Sequence, residues 1–289
     1  MSLNSFAHLY EAETIDTVRH VIAPILQTRL PPIGPDMRVL DLGCGSGAVT
    51  RIIYEQSATR GVKPPKVFGV DLGPSFIDAF NENKKAYSWD TAEGIVADAS
   101  NLDMFADQTF DVVIMSFSLF AVQDAVVEKA TAEVYRVLKP GGFFAASTWR
   151  GENFVERSKQ LSDFTHGYSL IRVRVFVSTT AIMGRPPEEC DKFKTGKWQK
   201  VETARDAIVA GGFEINKILA IPEDYFWAFE SKEAMLNRFN ASFWRGIATS
   251  VWTEEQKAKW PAAVEAILTE EEKSSASVPM FYCTHVAQK

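Results

Sequence analysis

The chain has 289 residues, with 31 basic against 37 acidic side chains and a net charge of −6. A hydrophobic fraction of 46% is that of a globular protein and excludes intrinsic disorder. The acidic balance argues against binding to nucleic acid or to an anionic membrane. The longest apolar run, residues 112–122, is too short for a membrane helix, and the first residues show no secretory signal. We therefore expect a soluble, cytoplasmic protein.

The cysteines argue against covalent or metal crosslinks. Cys44, Cys190 and Cys283 are odd in number, lie far apart and form no C-x-x-C pair. A disulfide scaffold or a structural zinc site would need paired spacing. The sequence therefore predicts no metal, and it leaves the oligomeric state undetermined.

Helices and strands alternate in the first half of the chain. Apolar residues at helical spacing predict a helix over residues 11–28, which ends before the proline-rich turn at 31–35. Five short apolar segments separated by helical ones then predict strands, at residues 38–41, 66–71, 94–98, 110–116 and 143–148. This alternation is typical of right-handed crossovers and of a doubly wound, parallel α/β sheet.

The pattern loosens after Trp149. Residues 201–210 predict a helix, residues 213–221 a sixth strand and residues 279–286 a last strand, which gives a mainly parallel, seven-stranded sheet. The two intervening segments, the second of which reads as helical over residues 223–272, are interpreted as insertions that form a cap. The predicted divisions are an N-terminal helix with the cofactor half of the sheet (1–149), a cap insertion (150–200), a helix and strand (201–221), a helical cap insertion (222–277) and the last strand (278–289).

A glycine-rich turn follows the first strand. Gly43, Gly45 and Gly47 separate this strand from a helix, so a ligand could approach the backbone there. Alone this signal is weak, because a tight turn without a ligand has the same appearance. The segment also satisfies the relaxed fingerprint of a dinucleotide loop.

Three aspartates favour another kind of ligand. Asp41, Asp71 and Asp98 each end one of the first three strands, where open α/β sheets bind ligands. A carboxylate before the glycine turn would repel a pyrophosphate, whereas it would attract a ligand that carries an ammonium and a sulfonium. Each aspartate alone could be a strand-end cap or a helix N-cap, but three at successive strand ends predict one acidic crevice.

In order and spacing, these segments resemble the class I S-adenosylmethionine-dependent methyltransferases, of the fold known as Rossmann-like. The glycine turn resembles their first motif, Gly69-Val70-Asp71 the second, and Ala97-Asp98-Ala99 the adenine loop. Residues 110–113 resemble their fourth strand, and residues 136–142 (RVLKPGG) the turn before the fifth. The match covers residues 37–149 closely and the rest of the chain more loosely.

The resemblance implies S-adenosyl-L-methionine as the cofactor and S-adenosyl-L-homocysteine as its product. It assigns the methionine end to the glycine segment that contains Asp41, Gly43, Cys44, Gly45 and Gly47. It assigns the ribose to Asp71, and the adenine to Asp98 and Ala99 with Leu72. Ser116 matches a position that often faces the cofactor. Tyr10 matches a tyrosine that closes over it in relatives, although core packing would place Tyr10 in a helix equally well.

The acceptor is harder to predict. Methyl transfer from a sulfonium needs little besides alignment, and a thiol acceptor needs less help from a base than a phenol does. The candidate contacts are His166 and Tyr168, in the first cap insertion. The many aromatic residues of the cap favour an apolar or ring-bearing substrate, although most of them could simply form the core of the cap.

The motifs narrow the class of methyltransferase. Residues 115–118 lack the signature of amino-group DNA methyltransferases, and the chain lacks the metal-binding aspartates of catechol methyltransferases. The overall organisation is similar to that of ubiquinone-type and secondary-metabolite enzymes, with gliotoxin-type fungal thiol methyltransferases as a narrower resemblance. S- or O-methylation of a small molecule is therefore expected. The alternatives are an NAD(P)-dependent oxidoreductase and a relative that binds cofactor without catalysis.

Overall fold

The computed structural model describes residues 3–150, 195–198, 200–241 and 253–289. Within these ranges seven strands form a single sheet. In chain order the strands are β1 (Arg38–Leu42), β2 (Lys66–Asp71), β3 (Ala92–Val96), β4 (Phe110–Ser116), β5 (Leu138–Trp149), β6 (Ile218–Ala228) and β7 (Ser277–Gln288).

Ten α-helices are described in the same ranges. They are α1 (Leu3–Thr28), α2 (Ala48–Thr59), α3 (Pro74–Ala86), α4 (Val127–Val137), α5 (Thr195–Trp198), α6 (Val201–Ala210), α7 (Lys232–Asn240), α8 (Glu254–Ala258), α9 (Trp260–Ile267) and α10 (Glu270–Ser275). Short 3₁₀ turns occupy Leu119–Ala121 and Ile215–Lys217. None of the described helices combines the length and the apolar character that crossing a bilayer requires.

The spatial order of the strands is β3-β2-β1-β4-β5-β7-β6. β1 pairs in parallel with β2 and β4, while β3 extends the parallel pairing beyond β2 and β5 extends it beyond β4. β7 runs against β5, because Gly141 pairs with Lys289 at one end and Arg150 with Phe281 at the other. The predicted fold class, α/β with a mainly parallel seven-stranded sheet, is confirmed. The carboxyl ends of β1 to β4 therefore share one edge.

Burial explains why the central strands form. Val39 and Leu40 of β1 and residues 112–114 of β4 are fully buried. Strands of a parallel sheet that is covered on both faces are continuous apolar runs of this kind. The strand edge that carries the predicted site therefore adjoins fully buried strands.

The chain divides into two compact units. The first comprises Met1–Thr148, Lys200–Ile221 and Cys283–Lys289, and the second comprises Trp149–Gln199 and Pro222–Tyr282. All the described residues of the predicted cofactor site belong to the first unit. That the second unit acts as a cap stays a prediction.

The second unit has a hydrophobic core of its own. Phe239 and Trp260 are almost completely buried there, and the indole nitrogen of Trp260 donates to the carbonyl of Phe239 at 3.2 Å. Trp227 and Phe229 pack around Phe239 with ring centroids 5.7 and 5.6 Å away. These aromatic residues are accounted for by packing within the unit.

Several predicted segments differ in extent: α1 begins at Leu3 rather than residue 11, and β5 begins at Leu138 rather than residue 143. The third strand covers 92–96 rather than 94–98, so Asp98 lies in the turn that follows it. The sixth strand runs from Ile218 to Ala228, so the prediction of a helix from residue 223 is wrong over residues 223–228. Residues 225–228 alternate between half-buried and exposed positions, as expected of a strand with one face covered.

Candidate functional site

The glycine loop, residues 43–47, runs from the end of β1 to the start of α2. Its first two N–H groups donate to the carbonyl of Val70 at 2.7 and 3.0 Å, and its last donates to the carbonyl of Cys44 at 2.9 Å. The N–H of Gly45 donates to Asp71 Oδ2 at 3.0 Å. These four donors are therefore engaged by the protein itself, whereas a dinucleotide loop directs its N–H groups at a pyrophosphate.

Two of the loop glycines are required by packing. A Cβ at Gly43 would lie 2.4 Å from the Cβ of Ser118. A Cβ at Gly47 would lie 2.7 Å from the ring of Trp89. Protein atoms, rather than a ligand, exclude larger side chains at both positions.

Gly45 has open space beside it. A Cβ there would have only the ring of Phe76 within 4 Å, at 3.9 Å, and the residue has a φ of +54°. Tyr10 of α1 packs edge-on against Phe76 with ring centroids 5.9 Å apart. Burial and the nearby charge of Asp71 raise the pKa of the Tyr10 phenol. Gly45, Tyr10 and Asp71 thus lie around one space into which a ligand could enter.

Asp71 stands at the end of β2 and is only 6% exposed. Its Oδ1 accepts from the N–H of Gly73 at 2.9 Å, and its Oδ2 accepts from Gly45. Burial raises the pKa of this carboxyl, against the effect of these N–H donors. The N–H of Leu72 also contacts this carboxylate, and a carboxylate has about four acceptor sites, so Asp71 can still accept from a ligand hydroxyl.

Asp41, in β1, contacts the start of α2, the helix that follows the glycine loop. It is 1% exposed, and its Oδ2 accepts from the N–H and the hydroxyl of Thr50 at 3.1 and 2.8 Å. Burial raises the pKa of Asp41 to about 7, and the charge of Asp71 adds to the effect. The described role of Asp41 is therefore to hold the start of α2, and its contact with the methionine end of a cofactor stays a prediction.

Asp98 and Ala99 lie in the turn after β3. Asp98 Oδ1 accepts from the N–H and the hydroxyl of Ser100, at 2.8 and 2.9 Å. The N–H of Ala97 donates to the carbonyl of Asp71 at 3.0 Å, which places this turn beside the end of β2. The two predicted ribose and adenine positions are thus neighbours on one sheet edge.

Polar atoms at this edge also fit a ligand. Ser116, at the end of β4, has a buried hydroxyl without a hydrogen-bond partner among the described residues. Leu72 and Ala99 are half-buried. Cys44 is buried, its thiol lies 3.4 Å from the carbonyl of Gly45, and burial raises its pKa well above the usual range. The open side of Gly45, the free hydroxyl of Ser116 and the acceptor sites of Asp71 together fit a ligand with hydroxyl groups and a positive charge.

The predicted acceptor contacts fall elsewhere. His166 and Tyr168 lie outside the described residues, as do several of the cap aromatic residues, and their roles stay predictions. Groups of three or more metal-ligating side chains are absent from the residues that the structure describes.

Sequence reasoning missed Asn83, which supports the loop, and its partner Glu11. Asn83 of α3 donates from Nδ2 to Glu11 Oε2 at 2.6 Å and to the carbonyl of Ser46 at 3.0 Å. The sequence does contain a signal for Asn83, because its helical spacing from Phe76 and Phe80 places it on the apolar face of α3. A polar side chain on such a face needs a buried hydrogen-bond partner.

Comparison with known proteins finds similarity to methyltransferases. Residues 39–142 match a family model described as a methyltransferase domain. Methyltransferase tpcH of Aspergillus fumigatus is 22% identical over 238 residues, which cover 80% of this chain and 74% of that protein. Demethylmenaquinone methyltransferase of Symbiobacterium thermophilum is 33% identical over 131 residues, which cover 45% of this chain and 46% of that protein.

A solved structure supports the fold. The YcgJ protein of Bacillus subtilis aligns with a TM-score of 0.57 at 15% identity, covering 93% of this chain and 98% of that one. The matched domain spans the glycine loop, Asp71 and Asp98. Over residues 39–142, which contain most of the site described above, the chain is therefore similar to methyltransferase domains.

Proposed function

We propose that the chain transfers a methyl group from S-adenosylmethionine to a thiol or hydroxyl of a small apolar or aromatic metabolite, as enzymes that tailor secondary metabolites do. The observation that carries the proposal is the Gly45–Asp71 contact. In this contact the N–H of Gly45 donates to the carboxylate of Asp71. The crevice therefore presents negative charge, where a dinucleotide-binding enzyme would present free N–H donors to a pyrophosphate. A cationic methyl donor suits such a crevice better than a pyrophosphate does.

The residues of the site mainly bind and orient. When bound, the cofactor would supply a methyl group carried on a sulfonium. The acceptor would gain the methyl group and lose its proton, and the rest of the cofactor would leave as a neutral thioether. The carboxylate of Asp71 would accept from a ribose hydroxyl, and Ser116 would offer a hydroxyl at the end of β4, on the other side of β1. Since in-line displacement depends on alignment, fixed contacts of this kind account for several kcal/mol of the barrier, on the order of 7–11 in the best cases.

The aspartates near the site, among the residues that the structure describes, favour an acceptor that needs little help from a base. The aspartates at β1 and β2 are occupied by backbone or hydroxyl donors. A thiol, whose pKa is about 8.5 in water, ionises without much help, so thiols rank ahead of phenols as acceptors. Support for an apolar acceptor comes from the bacterial relative, which is named for a quinone, demethylmenaquinone.

A methyl-transfer screen tests the proposal. The purified protein is incubated with S-adenosylmethionine and separate thiols, phenols, carboxylic acids and amines, and mass spectrometry follows S-adenosylhomocysteine and the methylated acceptor. We expect turnover with a thiol or hydroxyl compound. Exclusive methylation of amines or carboxylic acids would overturn the acceptor class. Cofactor binding without turnover on any acceptor would favour a catalytically silent relative, and NAD(P) binding in place of S-adenosylmethionine would favour an oxidoreductase.

A further inference from the structure

Two side chains of α4 hold the segment between β3 and β4, residues 97–109. Arg136 Nε and Nη2 donate to the two carboxylate oxygens of Glu133, each at 2.8 Å. Nη2 also donates to the carbonyl of Leu102 at 3.0 Å. Nη1 donates to the carbonyl of Phe105 at 2.9 Å and to Asp107 at 2.8 Å. All five donors of the guanidinium are therefore used, in a geometry that a lysine cannot reproduce.

Glu133 completes the arrangement. Its Oε2 accepts from the N–H of Leu102 at 2.8 Å, so both backbone polar groups of Leu102 are bound by the Glu133–Arg136 pair. The bond to Arg136 holds the pKa of Glu133 below its usual range, so the carboxylate stays ionised. An ionised pair strengthens its hydrogen bonds to the backbone of the loop.

The held segment is continuous with the predicted adenine turn. Leu102 is fully buried and lies three residues after Ala99. The turn itself is closed by the N–H of Asn101, which donates to the carbonyl of Asp98 at 2.9 Å. The N–H and the hydroxyl of Ser100 hold the carboxylate of Asp98 in the same turn. A shift of the Leu102 backbone would therefore be transmitted to Asp98 through a short, hydrogen-bonded stretch.

We propose that Glu133 and Arg136 are positioning residues for base recognition, holding the 97–109 segment so that Asp98 meets the amino group of adenine. The inference rests on the proposed function, because it takes S-adenosylmethionine as the ligand. The pair acts through the loop and touches no cofactor atom. Its removal should therefore weaken discrimination between bases, besides any effect on stability.

Two ligands that differ only in the base measure this discrimination. S-adenosylmethionine carries the adenine amino group, and S-inosylmethionine carries a carbonyl oxygen in its place, which a carboxylate repels. Isothermal titration gives the ratio of the two Kd values for each variant. Arg136→Lys keeps the positive charge but loses the fork, while Glu133→Gln keeps an oxygen for Leu102 and should fall between wild type and Glu133→Ala. The matched control is Lys139→Met, which removes the ion pair with Asp111 (2.7 Å) just beyond the same helix.

We expect the wild type and Lys139→Met to prefer the adenine ligand by about tenfold or more, and Arg136→Lys and Glu133→Ala to lose most of that preference. Unchanged ratios in both variants, with or without a lower Tm, would overturn the inference and leave the proposed function intact. A wild type that binds both ligands equally would overturn it as well. A wild type that binds neither would overturn the proposed function first. If Arg136→Lys does not fold, Asp107→Ala, which removes one exposed contact of the fork, gives the same comparison.

Discussion

The amide nitrogen of Asn83 lies 2.6 Å from Glu11 Oε2 and links the N-terminal helix to the cofactor loop. Glu11 is 7% exposed, and its other oxygen has no hydrogen bond, with the guanidinium of Arg51 3.7 Å away. The same amide nitrogen donates to the carbonyl of Ser46. One side chain of α3 therefore holds both α1, which carries Tyr10, and the glycine loop.

Replacing Asn83 tests this link. Asn83→Ala leaves a buried carboxylate and a loop carbonyl without their donor, so we expect a loss of about 1–3 kcal/mol in the free energy of unfolding. Urea denaturation measures the loss. Asp78→Asn, an exposed change on the same helix, should cost less than about 0.5 kcal/mol. Equal stability of the two variants would show that the link contributes nothing.

Two loop glycines should respond differently to alanine. Gly45→Ala places a methyl group in open space, so the protein should fold with a conformational cost of about 1–2 kcal/mol. Its affinity for S-adenosylmethionine should fall by about tenfold or more, because the methyl group occupies the ligand side of the loop. Gly47→Ala, which meets Trp89, should lose about 1–3 kcal/mol more in stability. Thermal unfolding and titration separate the two effects, and wild-type affinity in Gly45→Ala would contradict the site.

His285 should make the fold sensitive to acid. The ring is completely buried, and burial lowers the pKa to about 4 from an ordinary value of 6.5, against the effect of a backbone contact with Val201. The unfolded chain therefore binds more protons between these pH values, and stability falls as the pH drops from 6.5 to 4. The loss amounts to about 3 kcal/mol at most, from a shift of about 2.5 units.

The difference between a variant and the wild type isolates this effect. In His285→Leu, the loss of stability between pH 6.5 and pH 4 should be smaller than in the wild type by about 3 kcal/mol at most, as measured by urea unfolding at several pH values. The control Gln27→Ala, at an exposed and uncharged position of α1, should leave the slope unchanged. If His285→Leu lost stability with falling pH as steeply as the wild type, the assignment of this acid sensitivity to His285 would be wrong.

The sheet and the order of its motifs could be predicted from local patterns. β4 contains the apolar run 112–115, and Asp71 is the last residue of an apolar strand, so both could be recognised in the sequence. β6 was misjudged because its second half, through Trp227, is rich in aromatic residues that suit a strand and a helix core equally well. Local spacing could not distinguish them.

The supports of the site could not be predicted, because they depend on contacts between distant segments. Thr50 meets Asp41 only once α2 packs behind β1. Arg136 belongs to a recognisable motif, but two of its partners are backbone carbonyls of the 97–109 segment, which no residue type reveals. The sequence indicated the groups that face a ligand better than the groups that hold them.

The central claim, that the acidic strand ends bind a cationic methyl donor, is tested most directly at Asp71. Isothermal titration compares the wild type, Asp71→Asn and the exposed control Asp90→Asn, with S-adenosylmethionine and with NADPH as ligands. We predict saturable binding of S-adenosylmethionine by the wild type and the control, binding weaker by about tenfold or more in Asp71→Asn, and no NADPH binding. Equal S-adenosylmethionine affinity in Asp71→Asn, or a preference of the wild type for NADPH, would contradict the account.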